Sequence, residues 1–202
     1  MLRDTALATS GLLVEKIGGP SVKPYQPAGV WEAGSHQNSD TKSYVQDHGD
    51  ALYRRSLYTI WKRMATMPNM DALDEPVRDA SCTRRQRTDT PLQALVLMND
   101  PQWLEASRKL AERVIHESPN TDTRLDALGV ILLARRWEPK ERAALEKALA
   151  KFESVYAQNQ NSAETLISVG ESRRDLDLPD DELASWMMVA SAAMNLDAVL
   201  NK

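Results

Sequence analysis

The chain has 202 residues and a hydrophobic fraction of 42%, which is enough for one domain of ordinary size, or two small ones, with an apolar core. The 25 Lys and Arg residues against 29 Asp and Glu residues leave a formal net charge of −4, which argues against a general nucleic-acid-binding protein. One Cys and three His exclude a disulfide framework and a thiolate or His-rich metal site, and no apolar run of about 18 residues is present to span a membrane.

The first predicted element is a helix at the N-terminus that extends to about Ile17. Apolar residues recur there with helical spacing, and the following Gly18-Gly19-Pro20 cannot continue a helix without a large cost. This start does not have the pattern of a signal peptide, because the acidic Asp4 stands where basic residues belong and polar residues interrupt the apolar stretch. We therefore expect a cytoplasmic protein or, in preference, a segment of a longer one.

Two long irregular segments are predicted next, over about residues 18–49 and 66–89, with a helix from about Asp50 to Ala65 between them. The first segment lacks periodic apolar residues but contains aromatic and apolar anchors, so we expect it to be ordered. The helix is predicted because apolar residues recur at spacings of three and four. These residues are Tyr53, Leu57, Ile60, Trp61 and Met64.

Thr90-Pro91 has the pattern of a helix N-cap followed by proline at the first helical position. We expect a short helix from there to Met98, with Leu92, Leu95 and Val96 buried. Asn99-Asp100-Pro101 repeats the pattern and predicts the start of a longer helix.

Four helical segments with short connectors are predicted after residue 118. The predicted fold class is therefore all-α: an irregular helical domain with two long ordered loops and a C-terminal helical bundle. We expect a segment over residues 1–118 and a C-terminal helical segment over residues 119–202, packed together as one unit.

The candidates for catalysis are Asp47, His48 and Cys82. A Cys/His hydrolase needs a thiolate beside a histidine, and the arginines around Cys82 are surroundings that favour a thiolate. No nucleophile-elbow or papain-like pattern surrounds Cys82, however, and a buried structural cysteine is the simpler interpretation. His36 and His116 are also isolated in the sequence, so no metal site is expected.

Arg84, Arg85 and Arg87 are the most specific polar feature of the sequence, because they fall in a predicted loop just before a capped helix. Their fork-shaped guanidinium groups can hold a phosphate, a sulfate or a carboxylate. The alternative is that they pair with nearby acids and fix the loop to the core. We expect at least one to be buried and paired with an acid such as Asp47, Asp50 or Asp79.

Four stretches of the sequence together resemble the C-terminal part of a known family. They are GGPSVKPYQP at 18–27, YVQDHG at 44–49, LYRRSLYT at 52–59 and CTRRQRTDTPLQALVLMNDP at 82–101. The family is the planctomycete-specific domain of unknown function 1553, and the resemblance covers nearly the whole chain. The chain departs from the family pattern at Asp89, where asparagine is usual, and at Met67–Met70, where a proline-richer turn is usual.

The resemblance implies a context and does not supply catalytic residues. Relatives are exported multidomain proteins in which a cytochrome-c-like domain lies upstream, so the expected location is extracytoplasmic, either periplasmic or secreted. The expected partners are upstream domains of the same polypeptide, with an anionic polysaccharide as a second possibility. No cofactor is expected in this chain, since a haem would belong to the upstream domain.

Three functions stay open from the sequence. The first is a non-catalytic structural or interaction module within a larger exported protein. The second is part of a hydrolase-type enzyme acting on a sulfated or acidic glycan, with its site shared with upstream residues. The third is a partner module for the upstream haem domain.

Overall fold

The computed structural model describes residues 1–33, 42–63 and 66–201. The chain forms two compact units, one made of Met1–Leu13 with the part from Pro101 onward, the other of Val14–Asp100. Within the described residues the helices are α1 Leu2–Ser10, α2 Val30–Ala33, α3 Pro68–Ala72, α4 Pro91–Asn99, α5 Pro101–Glu117, α6 Thr121–Leu133, α7 Pro139–Gln158, α8 Gln160–Ile167, α9 Asp180–Met194 and α10 Asp197–Leu200. Two 3₁₀-helices, Gly49–Tyr53 and Ser56–Tyr58, and two isolated β-bridges complete the described secondary structure.

The unit that contains both ends of the described chain is a helical bundle built around α9. This helix packs against α5, α7 and α8, and it is buried on almost every side. Its apolar residues without solvent exposure include Leu183, Met187 and Val189. The bundle and the mostly α-helical class are those predicted from the three-and-four spacing of apolar residues.

One side of α5 carries buried charges that hold the segment before α9. The Glu105 carboxylate accepts a hydrogen bond from the Ser172 amide at 2.6 Å. Arg108 donates to Glu112 Oε1 at 2.9 Å and to the Ser172 carbonyl oxygen at 2.7 Å. Glu105, Arg108 and Glu112 are all buried, so these charges depend on one another for hydrogen bonding.

The other unit is held together by side chains that satisfy backbone groups, and Arg54 is the main example. Its guanidinium donates to the carbonyl oxygens of Lys16 at 3.0 Å, Pro20 at 2.9 Å and Gly18. It also lies 3.8 Å from the centre of the Tyr58 ring. A buried arginine that binds three carbonyl groups replaces the hydrogen bonds that a helix or sheet would supply.

The prediction that the first helix reaches Ile17 is wrong, because α1 ends at Ser10. Gly11 has φ +78°, the left-handed conformation that commonly closes a helix, and its amide donates to the Ala8 carbonyl. The chain beyond Leu13 then becomes extended, and Val14 forms an isolated parallel bridge with Arg54.

The predicted helix over Asp50–Ala65 is also wrong where the structure describes it, up to residue 63. The backbone groups of this segment bond to the extended segment before it: Val14 N donates to Tyr53 O at 3.0 Å and Ile60 N donates to Val22 O at 2.9 Å. Because these backbone groups bond elsewhere, the segment forms only the two short 3₁₀-helices Gly49–Tyr53 and Ser56–Tyr58. Met64 and Ala65 lie outside the described residues.

The Thr90 N-cap is confirmed as a complete capping box. The Thr90 hydroxyl accepts from Gln93 N at 3.3 Å, and Gln93 Oε1 accepts from Thr90 N at 3.0 Å. The expected burial of Leu92 and Leu95 is wrong, because both are exposed, and Val96 is half-buried. Gln93 and Leu97 occupy the inner side of α4 instead.

The sequence also did not predict α3, which lies inside the second irregular segment. The division expected at residue 118 falls between α5 and α6, inside the first unit. None of the helices in the described part of the chain is both long enough and apolar enough to cross a membrane.

Gly170 tests the contact between α5 and the segment before α9. Its φ is +92°, and a Cβ placed there would collide with the Glu105 side chain. Gly11 is a matched control, because it has φ +78° and open space around its Cβ position. We expect Gly11→Ala to cost about 1–2 kcal/mol of backbone strain, and Gly170→Ala to cost about 1–3 kcal/mol more through overpacking. Urea unfolding measures both, and equal losses would contradict the contact.

Glu141 gives a pH-dependent test of the first turn of α7. Arg135 holds its carboxylate with two hydrogen bonds of 2.8 and 2.9 Å, and together with the Glu138 amide it lowers the pKa of Glu141 to about 2. Because this pKa is depressed on folding, the stabilisation is complete above the ordinary pKa of 4.5 and is lost as the pH falls toward about 2.

We therefore expect Glu141→Gln to lower the urea midpoint at pH 7, with a difference from wild type that shrinks below pH 4.5. The control is Glu164→Gln, since Glu164 is exposed and has no ion pair within the described residues. A difference for Glu141→Gln that stays constant down to acidic pH would show that the Arg135 pair does not stabilise the fold.

Candidate anion-binding site in the arginine loop

Residues 84–88, here called the arginine loop, curve around a concave surface of about 750 Å³. Its lining residues are Arg84, Arg85, Gln86, Arg87 and Thr88. All five side chains are exposed. The loop therefore gathers the three predicted anion-binding arginines around one open surface.

Asp74 holds the arginine loop in place. Its carboxylate accepts hydrogen bonds from the Thr88 amide at 2.7 Å, from the Thr88 hydroxyl and from Gln93 Nε2 at 3.2 Å. Arg85 Nη2 donates to the Asp74 carbonyl oxygen at 3.1 Å. The amide and then the hydroxyl of Thr88 lower the pKa of Asp74, so the carboxylate stays charged in this role. Gln93 belongs to the capping box, which ties the loop to the first turn of α4.

The expectation that one of the three arginines is buried and paired with an acid is wrong. Within the described residues no ion pair joins Arg84, Arg85 or Arg87 to a carboxylate. The expected partner Asp79 instead pairs with Arg63 at 2.5 Å. Since no apolar side chain lies between residues 83 and 89 to draw the loop inward, the guanidinium groups stay in solvent.

Glu75 is, together with Asp74, one of two acids on which the charge of Arg85 acts. Burial raises its pKa, and the charge of Arg85 acts in the opposite direction. Arg78 donates to the Trp61 carbonyl oxygen at 2.8 Å and so belongs to the scaffold. Arg84 and Arg87 are therefore the guanidinium groups most available to a ligand.

Asp47, His48 and Cys82 do not line this concave surface. The Asp47 carboxylate accepts from the Lys23 amide at 2.7 Å, and the Asp47 amide donates to the Lys23 carbonyl oxygen at 2.9 Å. Asp47 thus joins two extended segments. His48 is exposed at the start of the 3₁₀-helix Gly49–Tyr53.

The expectation that Cys82 is buried is wrong, because Cys82 is free and exposed. Its neighbours in the sequence on both sides are exposed as well. Among the described residues no group of three or more His, Cys, Asp or Glu is placed to hold a metal ion. His36 lies outside the described residues.

A second concave surface, of about 430 Å³, lies beside the C-terminal half of α5. Three of its cations are already paired: Lys109 with Glu112, Arg113 with Glu117, and Arg174 with Asp180. His116 bonds to Asp175 at 2.5 Å. Because most of its charge is internally balanced, this surface is a weaker candidate for anion binding than the arginine loop.

The sequence indicated Asp74 only as one of several nearby acids that could pair with the arginines, and Gln93 only as part of the Thr90 cap; it did not predict that both position the arginine loop through Thr88. Asp74 has φ +59°, a conformation that Asp tolerates better than most residues. An acid followed at some distance by Thr and Gln is not a recognisable motif. The contacts of Asp74 and Gln93 with Thr88 form only in the folded chain, where α3, the arginine loop and α4 come together.

We expect Asp74→Ala to loosen the arginine loop and to accelerate trypsin cleavage after Arg84, Arg85 or Arg87 several-fold. The change removes the acceptor shared by Thr88 and Gln93, so the hydrogen bonds that restrain the loop are lost. Asp74→Asn retains one acceptor oxygen and should give an intermediate rate. Asp89→Ala is the control, since Asp89 lies in the same exposed segment without a hydrogen bond to another described residue. Equal rates for the two alanine variants would show that Asp74 does not restrain the loop.

The comparisons with known proteins identify the chain at the level of a family. The family model PSD1, described as "Protein of unknown function (DUF1553)", matches residues 1–149. No curated protein and no solved structure matches the chain. The matched residues include the arginine loop and all of α4 and α5, and they make up well over half of the 202 residues. The chain therefore belongs to the DUF1553 family of proteins of unknown function.

Proposed function

We propose that this chain is an interaction module and that its arginine loop binds an anionic partner. The observation that carries the proposal is the exposure of Arg84, Arg85 and Arg87 around one concave surface without ion pairs to described carboxylates. An unpaired guanidinium retains its full charge at every physiological pH. Arg84 and Arg87, with Arg85 between them, therefore concentrate positive charge where a group carrying several negative charges could bind.

The chemistry of arginine favours sulfate, phosphate or carboxylate as the group bound. The planar guanidinium donates two parallel hydrogen bonds to two oxygens of such a group. A sulfated or uronate-containing polysaccharide presents these groups repeatedly along one polymer, which matches adjacent arginines better than a single small ion does. We therefore propose an anionic polymer as the ligand class.

Part of a glycan hydrolase is the alternative function, with Asp47, His48 and Cys82 as its catalytic candidates. The hydrogen bonds of Asp47 to Lys23 support a structural role for that carboxylate, and they favour the interaction module over this alternative. The extracytoplasmic location, the upstream domains of the same polypeptide and the haem-domain partner are supported by the family resemblance alone.

Binding of dextran sulfate tests the proposal. We expect the variant Arg84→Gln/Arg85→Gln/Arg87→Gln to bind at least about tenfold more weakly than wild type, a change of about 1.4 kcal/mol. The matched control is Lys140→Gln/Lys147→Gln/Lys151→Gln, which removes the same charge from exposed positions of α7. This control should bind like wild type, because long-range charge alone contributes little once salt screens it.

The salt dependence of dextran sulfate binding provides a second test of the proposal. Raising the ionic strength from about 0.01 M to about 0.15 M shortens the Debye length from about 30 Å to about 8 Å, so binding should weaken strongly in wild type and less in the arginine variant. Equal binding by the arginine and lysine variants, or no binding by wild type, would refute the arginine loop as an anion site.

A further inference from the structure

The concave surface beside the C-terminal half of α5 contains a histidine–aspartate pair. His116, in the last turn of α5, bonds through Nε2 to Asp175 Oδ2 at 2.5 Å, and Asp175 belongs to the segment before α9. Both side chains line the surface, which encloses about 430 Å³, and both lie in the unit that contains α5 and α9. A histidine bonded to a carboxylate in a concave surface is the arrangement of a general base and the group that orients it.

Asp175 determines which nitrogen of the His116 ring carries the proton. Its carboxylate also accepts from the Asp177 amide at 2.8 Å, and its own amide donates to Glu112 Oε1 at 3.3 Å. The Asp177 amide and then the His116 ring lower the pKa of Asp175, so this carboxylate is charged and can only accept hydrogen bonds. In the neutral ring Nε2 is therefore the donor. Nδ1 is left as an acceptor on a side chain that is 54% exposed.

One cation of this surface is available to a bound molecule. Lys109, Arg113 and Arg174 pair with carboxylates of the same unit. Arg173 also lines the surface, but it is exposed and has no ion pair within the described residues. A single guanidinium can hold one carboxylate or similar group by two parallel hydrogen bonds. The surface therefore combines an oriented imidazole with a site for one anionic group.

We infer that this surface is a hydrolytic site for carboxylic esters that carry an anionic group, with His116 as its general base. The inference goes beyond the proposed function, because it adds an activity and uses no residue of the arginine loop. His116 is the catalytic residue, Asp175 is the positioning residue that holds its ring, and Arg173 binds the anionic group. Ser10 lines the same surface, but its hydroxyl donates to the Leu7 carbonyl oxygen at 3.1 Å, so water is the nucleophile.

The reaction balances with water as the only co-reactant. His116 Nδ1 accepts a proton from a water molecule while the water oxygen bonds to the ester carbonyl carbon, and the π electron pair moves to the carbonyl oxygen. When the C=O bond forms again, the bond between that carbon and the alcohol oxygen breaks. The leaving alkoxide takes the proton from His116, which returns to its neutral form. Asp175 stabilises the imidazolium ring between the two proton transfers.

Two esters that differ in one charge test the site in the unaltered protein. The first is para-acetoxybenzoate, whose carboxylate lies away from the acetyl ester, and the second is its neutral methyl ester. We expect wild type to hydrolyse the anion at least about 100-fold faster than free imidazole does, the lower limit for a positioned general base. The reference is three equivalents of imidazole, one for each histidine of the chain. Relative to the imidazole rates, kcat/KM should be at least about threefold higher for the anion, the size of an exposed ion pair.

Variants then assign the three roles. His116→Gln should lower the rate to that of free imidazole. Asp175→Asn should lower kcat at least about tenfold and leave KM unchanged, because the ring loses its orientation while the anion-binding group remains. Arg173→Gln should raise KM for para-acetoxybenzoate and leave its methyl ester unaffected. The matched control is Arg136→Gln, which changes an arginine that is 80% exposed and does not line the surface, and it should change neither constant. Circular dichroism confirms that each variant is folded.

The remaining outcomes separate this inference from the proposed function. Hydrolysis by wild type no faster than by free imidazole overturns the inference, and so does an unchanged rate in His116→Gln. A kcat that stays at the wild-type value in Asp175→Asn overturns the positioning role of Asp175. Dextran sulfate binding, measured on the same samples, reports on the arginine loop of the other unit, so either proposal can fail without the other.

Discussion

The buried charges of α5 are the interaction on which the helical unit depends. Arg108 is 1% exposed and Glu105 is fully buried, so neither can be hydrated. Removing such groups from water costs several kcal/mol each unless hydrogen bonds replace the lost water. Ser172 supplies part of this replacement through its amide and its carbonyl oxygen. The position of the segment before α9 is therefore set by the need to satisfy two charges of α5.

The unit formed by Val14–Asp100 has little regular secondary structure, so side chains supply the hydrogen bonds that its polar backbone groups need. Arg54 binds three carbonyl groups, and Asp47 binds the amide of Lys23. The Asp74 carboxylate likewise accepts a hydrogen bond from the Thr88 amide. In the described parts of these irregular segments, charged side chains therefore bond to backbone groups that helices would otherwise satisfy.

Periodicity predicted the helical unit well, because the buried apolar residues of its helices recur at three-and-four spacing. The inward positions of α5, with Trp103, Leu110 and Val114, and the Thr90 capping box follow directly from local sequence. The helix over residues 50–65 was mispredicted for a physical reason. Apolar residues at three-and-four spacing were present, but Val14 and Val22 bond to backbone groups of the same segment. Such competition depends on contacts between residues far apart in sequence.

The candidate site was predictable in composition and unpredictable in arrangement. The three arginines were recognisable from the sequence, since their density in a loop is unusual. Their exposure was not, because it depends on Asp79 pairing with Arg63 and on Asp74 bonding to Thr88. The exposure of Leu92 and Leu95 was likewise not predictable, because a short apolar helix has the same sequence pattern whether its apolar residues are buried or exposed.

The hydrogen bonds between α5 and Ser172 determine which substitutions the segment before α9 tolerates. Glu105 bonds to the Ser172 amide and Arg108 to its carbonyl oxygen, and every residue type except proline supplies both groups, whereas the third bond, from Arg108 to the Ser172 hydroxyl, needs a polar side chain. A substitution of Ser172 therefore keeps the two backbone contacts and loses the third, while residue 170 has to remain glycine because a Cβ there would collide with Glu105. The family model stops at residue 149, within α7, whereas α9 lies beyond it and packs against α5 and α7. The limit of recognisable sequence and the limit of the folding unit are thus different places in the chain.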